Sequence, residues 1–463
     1  MNTHEKRTSN KINIAYIGGG SRQWARKIMS DLIIEESISG EVRLYDIDTK
    51  AAKKNEVIGN MFNNLPGAKT TWHYKAVHTL KDALEGANFV IISITPGTIE
   101  KDMYSDVHTP ECYGIYQAVG DTVGPGGYIR ALRTIPMYIE IANAIKDYAP
   151  DAWVINYTNP MTLCVRTLYQ VFPQIKAFGC CHEVFGTQEL LMTALNEELN
   201  LGLTDRSQIK VNVSGINHFT WIDEAFYKDI DLIPIYTQFA NKYYDHGLIK
   251  EEHRGDPFKN AHKVKFDLFR RYGVIAAAGD RHLIEFVPQW YLKNESDQEK
   301  WIYWLTKVER RINSLRNKNQ ETNDIIAGKK ELTISPSGEE GVQQIKSILG
   351  LKSFVSNVNL PNAGQIPWLP KGAVVETNAV FKSGSVKPVQ TGNLPLNVQN
   401  LVLQHAINQE ALIHAFFNQD KQGIMNIFAN EPMVKRLSIE ESTELFNIMI
   451  DNTKAYLPEW LLH

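Results

Sequence analysis

Short apolar runs alternate with helically spaced apolar positions over roughly the first 200 residues of the chain. The run FVIISI at 89–94 is nearly continuous, which is typical of a parallel strand buried on both faces. The same reasoning predicts strands at 12–17, 41–45, 153–156 and 177–179, and helices at 22–34, 51–62 and 128–148. This alternation predicts an α/β fold, a Rossmann-type doubly wound parallel sheet.

After residue 200 the strict alternation ends. The pattern there predicts strands at 209–213 and 373–381, and helices at 223–244, 261–272, 398–417 and 438–457. Residues 313–341 contain few large apolar side chains and end in SPSGEEG, which predicts a long loop or insertion. We therefore expect one domain at 1–200 and a second, α+β domain at 201–463.

Composition narrows the class of protein. The 463 residues are 43% hydrophobic and 22% charged, with a net charge of -3, as in an ordinary globular protein. This small net charge disfavours nucleic-acid binding, and the sequence has no apolar run long enough to span a bilayer. The first eleven residues are polar and lack the apolar segment of a signal peptide, which predicts a cytoplasmic protein. Four cysteines are too few for a disulfide framework.

Three consecutive glycines, Gly18, Gly19 and Gly20, followed by Ser21, connect the first predicted strand to the first predicted helix. Glycine allows the tight turn that brings backbone N–H groups close to a pyrophosphate, whose charge the helix N-terminus stabilises. Asp46 ends the second predicted strand, where a carboxylate binds the ribose hydroxyls of NAD. We predict an NAD site here. The alternative is a turn without nucleotide, with Asp46 as a helix cap.

Five short segments combine reactive polar groups with flanking apolar residues. They are GDTVGPGG at 120–127, NYTNP at 156–160, GCCHEVFG at 179–186, GINHFTW at 215–221 and GDRHLIEF at 279–286. Loops after parallel strands line the ligand crevice of a doubly wound sheet, which favours the second and third segments. The side chains of Cys181, His182, His218 and Asp280 could hold a divalent metal ion. The alternative is a buried cysteine with hydrogen-bonded histidines.

The segments GGGS, GPGG, NYTNP, CHEVFGT and GINHF occur in the order seen in glycoside hydrolase family 4. The chain resembles this family from about residue 11 to the C-terminal helices, including NAGQIPWLPKGAVVETNA at 362–379. Within the family it is most similar to bacterial alpha-galacturonidases, which share GCCHEVFGTQ, GINHFTW and GDRHL. The resemblance implies a lactate/malate dehydrogenase-like architecture. Residues 1–200 would bind NAD, and 201–463 would carry the catalytic, substrate and oligomer contacts.

The resemblance also implies a glycosidase with NAD and Mn²⁺, or another divalent metal, as cofactors. Its chemistry oxidises the sugar at C3, removes the C2 proton, eliminates the C1 group, adds water and reduces C3 again. Cys181 and His218 match the metal ligands, and Asn159 matches a substrate-binding asparagine. Cysteine is a soft ligand for manganese, so donor chemistry alone favours zinc or iron.

The acid and base roles follow from the same resemblance. His182 lies at the position of the general acid, and Glu183 is a second proton donor. Asp280 is our choice for the base at C2, with Tyr291 as the weaker option. Asp121 matches a carboxylate that activates the base or orders the metal shell. Either aspartate could instead be a structural hydrogen-bond acceptor.

The segment after the 89–94 strand bears on the substrate. Phospho-glycosidases of the family carry an arginine and a lysine there, whereas this chain has ITPGT at 94–98, which disfavours a phosphorylated sugar. An alpha-galacturonide still needs a partner for its carboxylate, preferably a bidentate arginine. Arg281, Arg130 and Arg133 are the candidates, although each could form an ion pair within the protein instead.

Three other functions remain open from the sequence. The chain could be an alpha-galactosidase or alpha-glucosidase of the same family. It could be a 2-hydroxy-acid dehydrogenase, which would produce NADH and need no metal. A non-catalytic NAD sensor is disfavoured, because a sensor needs no thiol beside an imidazole. We expect a homo-oligomer that binds a small sugar and neither nucleic acid nor membrane.

Overall fold

The computed structural model describes residues 9–463 of the chain. The prediction that no signal peptide is present concerns residues 1–11, of which 1–8 lie outside the described residues. Within 9–463, thirteen strands form one sheet. In chain order they are β1 (Asn10–Ile17), β2 (Ile38–Tyr45), β3 (Trp72–Val77), β4 (Phe89–Ile92), β5 (Trp153–Asn156), β6 (Lys176–Gly179), β7 (Ile209–Ile216), β8 (Phe219–Tyr227), β9 (Ile230–Asp231), β10 (Ile275–Ala276), β11 (Phe354–Pro361), β12 (Val374–Lys382) and β13 (Ser385–Pro388).

Eighteen α-helices accompany the strands in the same range. They are α1 (Trp24–Ile33), α2 (Thr49–Met61), α3 (Leu80–Leu84), α4 (Tyr104–His108), α5 (Gly124–Tyr148), α6 (Met161–Val171), α7 (Glu183–Leu199), α8 (Ile233–Tyr243), α9 (Lys263–Tyr272), α10 (Asp280–Phe286), α11 (Pro288–Tyr291), α12 (Asp297–Trp301), α13 (Val308–Ile326), α14 (Gly341–Ile348), α15 (Leu396–Phe417), α16 (Lys421–Ala429), α17 (Ile439–Thr453) and α18 (Glu459–Leu462). The longest, α5, begins in the GPGG run and continues through Pro136.

Six strands form a parallel sheet in the order β3-β2-β1-β4-β5-β6. This is the strand order of a Rossmann fold, so the predicted fold class is confirmed. All four residues of β4 are buried, as its continuous apolar run predicts. The strand order reverses between β1 and β4, and in such sheets the ligand crevice opens at the carboxyl ends of the strands near this point.

The remaining strands extend the same sheet in antiparallel fashion. Strand β11 pairs with β6 through Asn359 and Gly179, and the order continues β11-β12-β7-β8-β10. Strands β7 and β8 form a hairpin, and the residues between them are Asn217 and His218. The hairpin therefore carries part of the GINHFTW segment into the same sheet as the nucleotide-binding half.

Two predicted elements were wrong, and some elements were not predicted. Residues 223–227 belong to β8, because this segment pairs with β7, and the helix predicted at 223–244 begins only at Ile233. Residues 313–326, about half of the loop predicted at 313–341, belong to helix α13. Its residues form helices well but bury few side chains, so the apolar pattern is weak. Strand β3 was missed, although Trp72 and Tyr74 alternate with exposed residues.

The described residues contain neither a helix that could cross a membrane nor a disulfide bond. Among residues 9–463, no helix is both long and apolar enough to cross a bilayer. All four cysteines are free thiols: Cys164 and Cys181 are buried, Cys180 is half-buried and Cys112 is exposed. The prediction that the chain has no disulfide framework agrees with this arrangement.

Candidate active site

The glycine turn at the end of β1 is packed too closely to admit side chains. Gly18 has φ +90°, and a Cβ there would lie 2.0 Å from the carbonyl oxygen of Ser93. A Cβ at Gly19 would lie 2.7 Å from Leu44 Cα. The N–H groups of Gly18 and Gly19 both donate to the carbonyl oxygen of Tyr45, at 2.9 and 2.8 Å. Glycine is therefore required here for the turn itself.

Asp46 lies at the mouth of this turn. Its Oδ2 accepts the N–H of Gly20 at 2.8 Å, and its Oδ1 accepts the N–H of Asp48 at 2.8 Å. Burial raises the pKa of its carboxyl group. The next residue, Ile47, is 86% exposed. The turn, the carboxylate and an exposed apolar side chain thus lie side by side at the carboxyl ends of β1 and β2.

The loop after β5 meets the start of α5. The peptide bond between Asn159 and Pro160 is cis. Arg130 of α5 donates from Nε to the carbonyl oxygen of Asn159 at 3.0 Å. The side-chain Oδ1 of Asn159 is buried and has no hydrogen-bond partner among the described residues, so it is available to a ligand.

Cys181 follows β6 and is held close to the β7–β8 hairpin by a buried carboxylate. Glu376 of β12 accepts from Nδ2 of Asn217 at 3.1 Å and from Nδ2 of Asn357 at 2.6 Å. Asn357 Nδ2 also donates to the carbonyl oxygen of Cys181 at 3.2 Å. Burial, together with Glu376 and Glu183, raises the pKa of the Cys181 thiol well above its usual value.

His218 presents one ring nitrogen to a threonine. Thr122 donates its hydroxyl to Asp121 Oδ1 at 2.9 Å and lies 3.0 Å from His218 Nδ1. Because a hydroxyl has one hydrogen, His218 Nδ1 is the donor in the second bond, and Nε2 keeps its lone pair. Burial and the neighbouring His282 lower the pKa of His218 to about 3, which favours the neutral, metal-binding form.

His282 of α10 is a site residue that sequence reasoning missed. Its ring packs on His218 with centroids 4.2 Å apart, and its Nε2 lies 3.4 Å from Glu183 Oε1. Its Nδ1 is buried without a hydrogen-bond partner among the described residues. Glu183 also accepts the N–H of Gly279 at 2.8 Å. Burial opposes ionisation of Glu183, but His282 holds its pKa well below the usual value, which disfavours its predicted role as proton donor.

His182, the predicted general acid, is half-exposed at the N-terminus of α7. Its ring stacks on Trp24 with centroids 5.8 Å apart, and its Nδ1 lies 3.6 Å from Glu339 Oε1. Lys27 Nζ lies 3.0 Å from the same Glu339 oxygen. Trp24 begins α1 directly after the glycine turn, so His182 adjoins the predicted nucleotide site.

Asp121 is a carboxylate surrounded by cations. Although burial opposes ionisation, the guanidinium groups of Arg130 and Arg311 lower the pKa of Asp121 to about 2. Arg311 lies on α13, outside the segments singled out in the sequence. Arg133 is unavailable to a ligand, because it forms a buried ion pair with Asp106 at 2.5 Å.

Asp280 and Tyr291, the two candidate bases, both have structural partners. The carboxylate of Asp280 accepts the N–H groups of Val264 at 3.3 Å and Lys265 at 3.1 Å at the start of α9. Burial raises the pKa of Asp280 to about 6. Tyr291 is buried and donates to Asp267 at 2.6 Å, and burial raises its pKa far above the neutral range. Its role as a base is therefore disfavoured.

The predicted metal residues do not form a complete cage. Among residues 9–463, no three His, Cys, Asp or Glu side chains are grouped closely enough to hold a metal ion alone. Cys181 and His218 lie near each other through Asn217 and Glu376. The side chain of Asp280 instead points its oxygens at α9. Two protein ligands are compatible only with an open site completed by other oxygens.

Comparison with known proteins places both halves in one family. Residues 13–197 match the model of the Family 4 glycosyl hydrolases, and residues 213–434 match the Family 4 glycosyl hydrolase C-terminal domain. An alpha-galacturonidase of Thermoanaerobacterium saccharolyticum is 56% identical over 453 residues, 97% of both chains. An alpha-galactosidase of Bacillus subtilis is 30% identical over 454 residues, 97% of this chain and 98% of that one.

Solved structures share the fold. A crystal structure of a Bacillus subtilis protein, 51% identical, covers 95% of this chain and 100% of its own with a TM-score of 0.90. A 6-phospho-alpha-glucosidase from gut microorganisms, in complex with NAD and Mn²⁺, is 18% identical. It covers 97% of this chain and 100% of its own with a TM-score of 0.81.

Proposed function

The chain belongs to glycosyl hydrolase family 4, and we propose that it is an alpha-galacturonidase that uses NAD and Mn²⁺, or another divalent metal ion. The observation that carries the proposal is its 56% identity to an alpha-galacturonidase over 97% of both chains. Identity to the alpha-galactosidase is only 30% over a similar length. The resemblance drawn from sequence motifs is thereby confirmed at the level of the family, and the chain is a glycosidase.

The residues of the glycine turn after β1, together with Asp46, fit NAD. Gly18, Gly19 and Gly20 have no room for side chains. A glycine turn leaves the backbone N–H groups uncovered, so a pyrophosphate can approach them closely. Asp46 has a half-buried carboxylate at the end of β2, where the ribose hydroxyls of NAD are bound in this fold. Ser21 accepts the N–H of Trp24 at 3.1 Å and begins the turn into α1. Bound NAD would supply the transient oxidation of the sugar at C3.

Cys181 and His218 fit a divalent metal with an open coordination sphere. The neutral imidazole of His218 keeps the lone pair of Nε2, and Thr122 orients the ring from the other side. Glu183 and Glu376 surround the Cys181 thiol with negative charge, which a cation would offset. A metal held here would act as a Lewis acid beside the sugar.

The remaining chemistry belongs to the side chains of the protein. We assign to His182 the donation of a proton to the leaving oxygen at C1, because its ring is half-exposed beside the nucleotide turn. We assign to Asp280 the removal of the C2 proton, since burial brings its pKa to about 6, close to that needed for a base at neutral pH. His282, with its unpartnered Nδ1, is the alternative base.

A coupled assay tests the proposal. The protein is given a 4-nitrophenyl alpha-galacturonide with NAD, Mn²⁺ and a reducing agent, and phenol release and NADH absorbance are followed together. Phenol release without net NADH is expected, and deuterium should enter C2 of the product in D₂O. Net NADH without phenol release would instead indicate a dehydrogenase. Cleavage that continues undiminished after removal of the nucleotide contradicts the redox mechanism.

Two further properties are part of the proposal. We expect the enzyme to act in a reducing compartment such as the cytoplasm, because its four cysteines are free thiols. We also expect a homo-oligomer, as is common for such enzymes. Light scattering of the purified protein would measure its subunit number.

A further inference from the structure

Asp121 lies beside two arginines, Arg130 and Arg311, and a third arginine, Arg281, lies near Arg311. Arg130 lies on α5, Arg281 on α10 and Arg311 on α13. Arg130 is buried, whereas Arg281 and Arg311 are partly exposed. Among residues 9–463, none of these three guanidinium groups has a carboxylate oxygen within 4.0 Å. The cluster therefore contains more positive charge than its protein partners neutralise.

The nearest carboxyl groups do not balance the cluster. Asp121 is ionised, because Arg130 and Arg311 hold its pKa at about 2 against the effect of burial. Burial raises the pKa of Glu285 to about 7, so this group carries less than a full charge near neutrality. Glu183, which is ionised, offsets part of the charge of Arg281, so the three guanidinium groups face about two ionised carboxylates in a region of low solvent access. Excess charge in such a place is costly unless an anion joins it.

Arg281 and Arg311 each have one buried nitrogen that donates no hydrogen bond within the described residues. Arg281 packs over the ring of Phe258 at 4.7 Å, and its Nη1 is buried with no partner among the described residues. Arg311 donates from Nη2 to the carbonyl oxygen of Val119 at 3.4 Å, while its Nε is buried and equally without partner. Arg130, by contrast, donates from its Nε to the carbonyl oxygen of Asn159. Buried N–H donors without acceptors are expected where a ligand supplies oxygen atoms.

The cluster adjoins the groups proposed to act on the sugar. Thr122 joins Asp121 to His218, the proposed metal ligand. Arg130 joins the cluster to the loop of Asn159, which is proposed to bind substrate. An anionic group bound by the arginines would therefore be part of a molecule that also reaches the proposed metal.

We propose that Arg311, together with Arg281, binds the carboxylate of a uronic acid substrate and so determines specificity for alpha-galacturonides over neutral alpha-galactosides. The inference rests on the proposed function and adds Arg311 to it. A planar guanidinium group matches the two oxygens of a carboxylate, whereas a sugar CH₂OH group offers no charge to the cluster.

The test compares two substrates that differ only at this group, the 4-nitrophenyl glycosides of alpha-galacturonate and alpha-galactose. Arg311→Gln should lower kcat/KM for the galacturonide about 10- to 100-fold, the range of a lost hydrogen bond to a charged group. Most of the change should appear in KM, and the rate with the galactoside should change less than about threefold. Arg311→Lys should fall between the wild type and Arg311→Gln, because it keeps the charge but loses the planar fork.

Arg316→Gln is the matched control, since it removes the same charge from an exposed position on the same helix. Calorimetric titration with free galacturonate and free galactose measures the same preference without turnover, and thermal melting verifies that each variant is folded. Equal losses on both sugars, or unchanged galacturonate binding by Arg311→Gln, overturn the inference alone. Wild-type protein that neither binds nor cleaves galacturonides overturns the proposed function and the inference with it.

Discussion

Asp280 combines a structural contact with the proposed role of base. Its oxygens accept the first N–H groups of α9, and an asparagine retains one such acceptor. Asp280→Asn should therefore remain folded but lower kcat at least about 100-fold, the usual contribution of a general base. Deuterium exchange at C2 and thermal melting measure the two effects separately. Asp420→Asn, which changes the cap of α16 remote in sequence from the site segments, serves as the control.

Exchange at C2 that survives in Asp280→Asn but is lost in His282→Gln would transfer the role of base to His282. This comparison matters because the structure gives His282 an unpartnered buried nitrogen, whereas both oxygens of Asp280 already accept hydrogen bonds. The two variants therefore distinguish a base from a helix cap.

The same carboxyl group predicts the acid limb of the pH profile. Burial raises the pKa of Asp280 to about 6, and a base must be deprotonated to act. On the acid side of its profile, the kcat/KM of the wild type should therefore fall tenfold per pH unit well below about pH 6. Rates at a fixed Mn²⁺ concentration from mildly acidic to neutral pH measure it. A profile that stays flat through pH 6 contradicts the assignment.

Cys181 is the residue whose replacement best reports on the metal. A chelator should abolish turnover of the wild type, and added Mn²⁺ should restore it, because the proposed site has only two protein ligands. Cys181→Ser should bind Mn²⁺ at least about tenfold more weakly, since it loses the thiolate. Electron paramagnetic resonance of free Mn²⁺ measures the affinity. Cys180→Ser is the control, because the Cys180 thiol donates instead to Gln344 at 3.0 Å. Equal Mn²⁺ affinity in both variants would remove Cys181 from the site.

At the scale of elements, α13 and the segment that follows it occupy a region for which the sequence predicts a loop. The helix joins the nucleotide half through a hydrogen bond of 2.7 Å from Arg22 Nε to Asn319 Oδ1. The segment after it is fastened to α1, because Asp31 accepts the N–H of Ser337 at 2.8 Å and Lys27 pairs with Glu339. These contacts join partners about 300 residues apart in sequence, which no local pattern can indicate.

A proline in α13 tests the helix directly. Asn317 is exposed near the middle of α13, and Asn317→Pro should lower the free energy of unfolding by about 3 kcal/mol because it removes a helical hydrogen bond and introduces a clash. Asn317→Ala, the control, should be neutral or slightly stabilising. Urea denaturation measures both. If the two variants are equally stable, this segment is not helical in solution.

At the scale of the whole molecule, the two predicted domains share one sheet and one of the buried apolar clusters. Strands β6 and β11 pair across the boundary, and a single buried cluster joins Ile14 and Ile91 to Val358 and Phe381. The boundary at residue 200 itself remains a prediction. Because the second half supplies part of this cluster and covers the edge of β6, we expect the first half to be unstable alone.

Expression of residues 1–200 as a fragment tests this dependence. The fragment should expose the edge of β6 and the apolar face that the second half covers, and so bind a hydrophobic dye and aggregate. The full chain under the same conditions is the control. A fragment that is monomeric and melts cooperatively would indicate an independent nucleotide-binding domain.

Local sequence patterns determined five of the six parallel strands, all but β3. They also determined the glycine turn and most of the segments that contribute to the site, because strand runs, tight turns and reactive motifs depend on residues adjacent in the chain. Motif order also identified the family. Only the tertiary structure decided which of these residues meet: it packed His282 on His218, turned Asp280 towards α9, paired Arg133 with Asp106 and brought Arg311 to Asp121. Such contacts depend on how distant elements pack, and charge and hydrogen bonding at these contacts have no periodicity along the sequence.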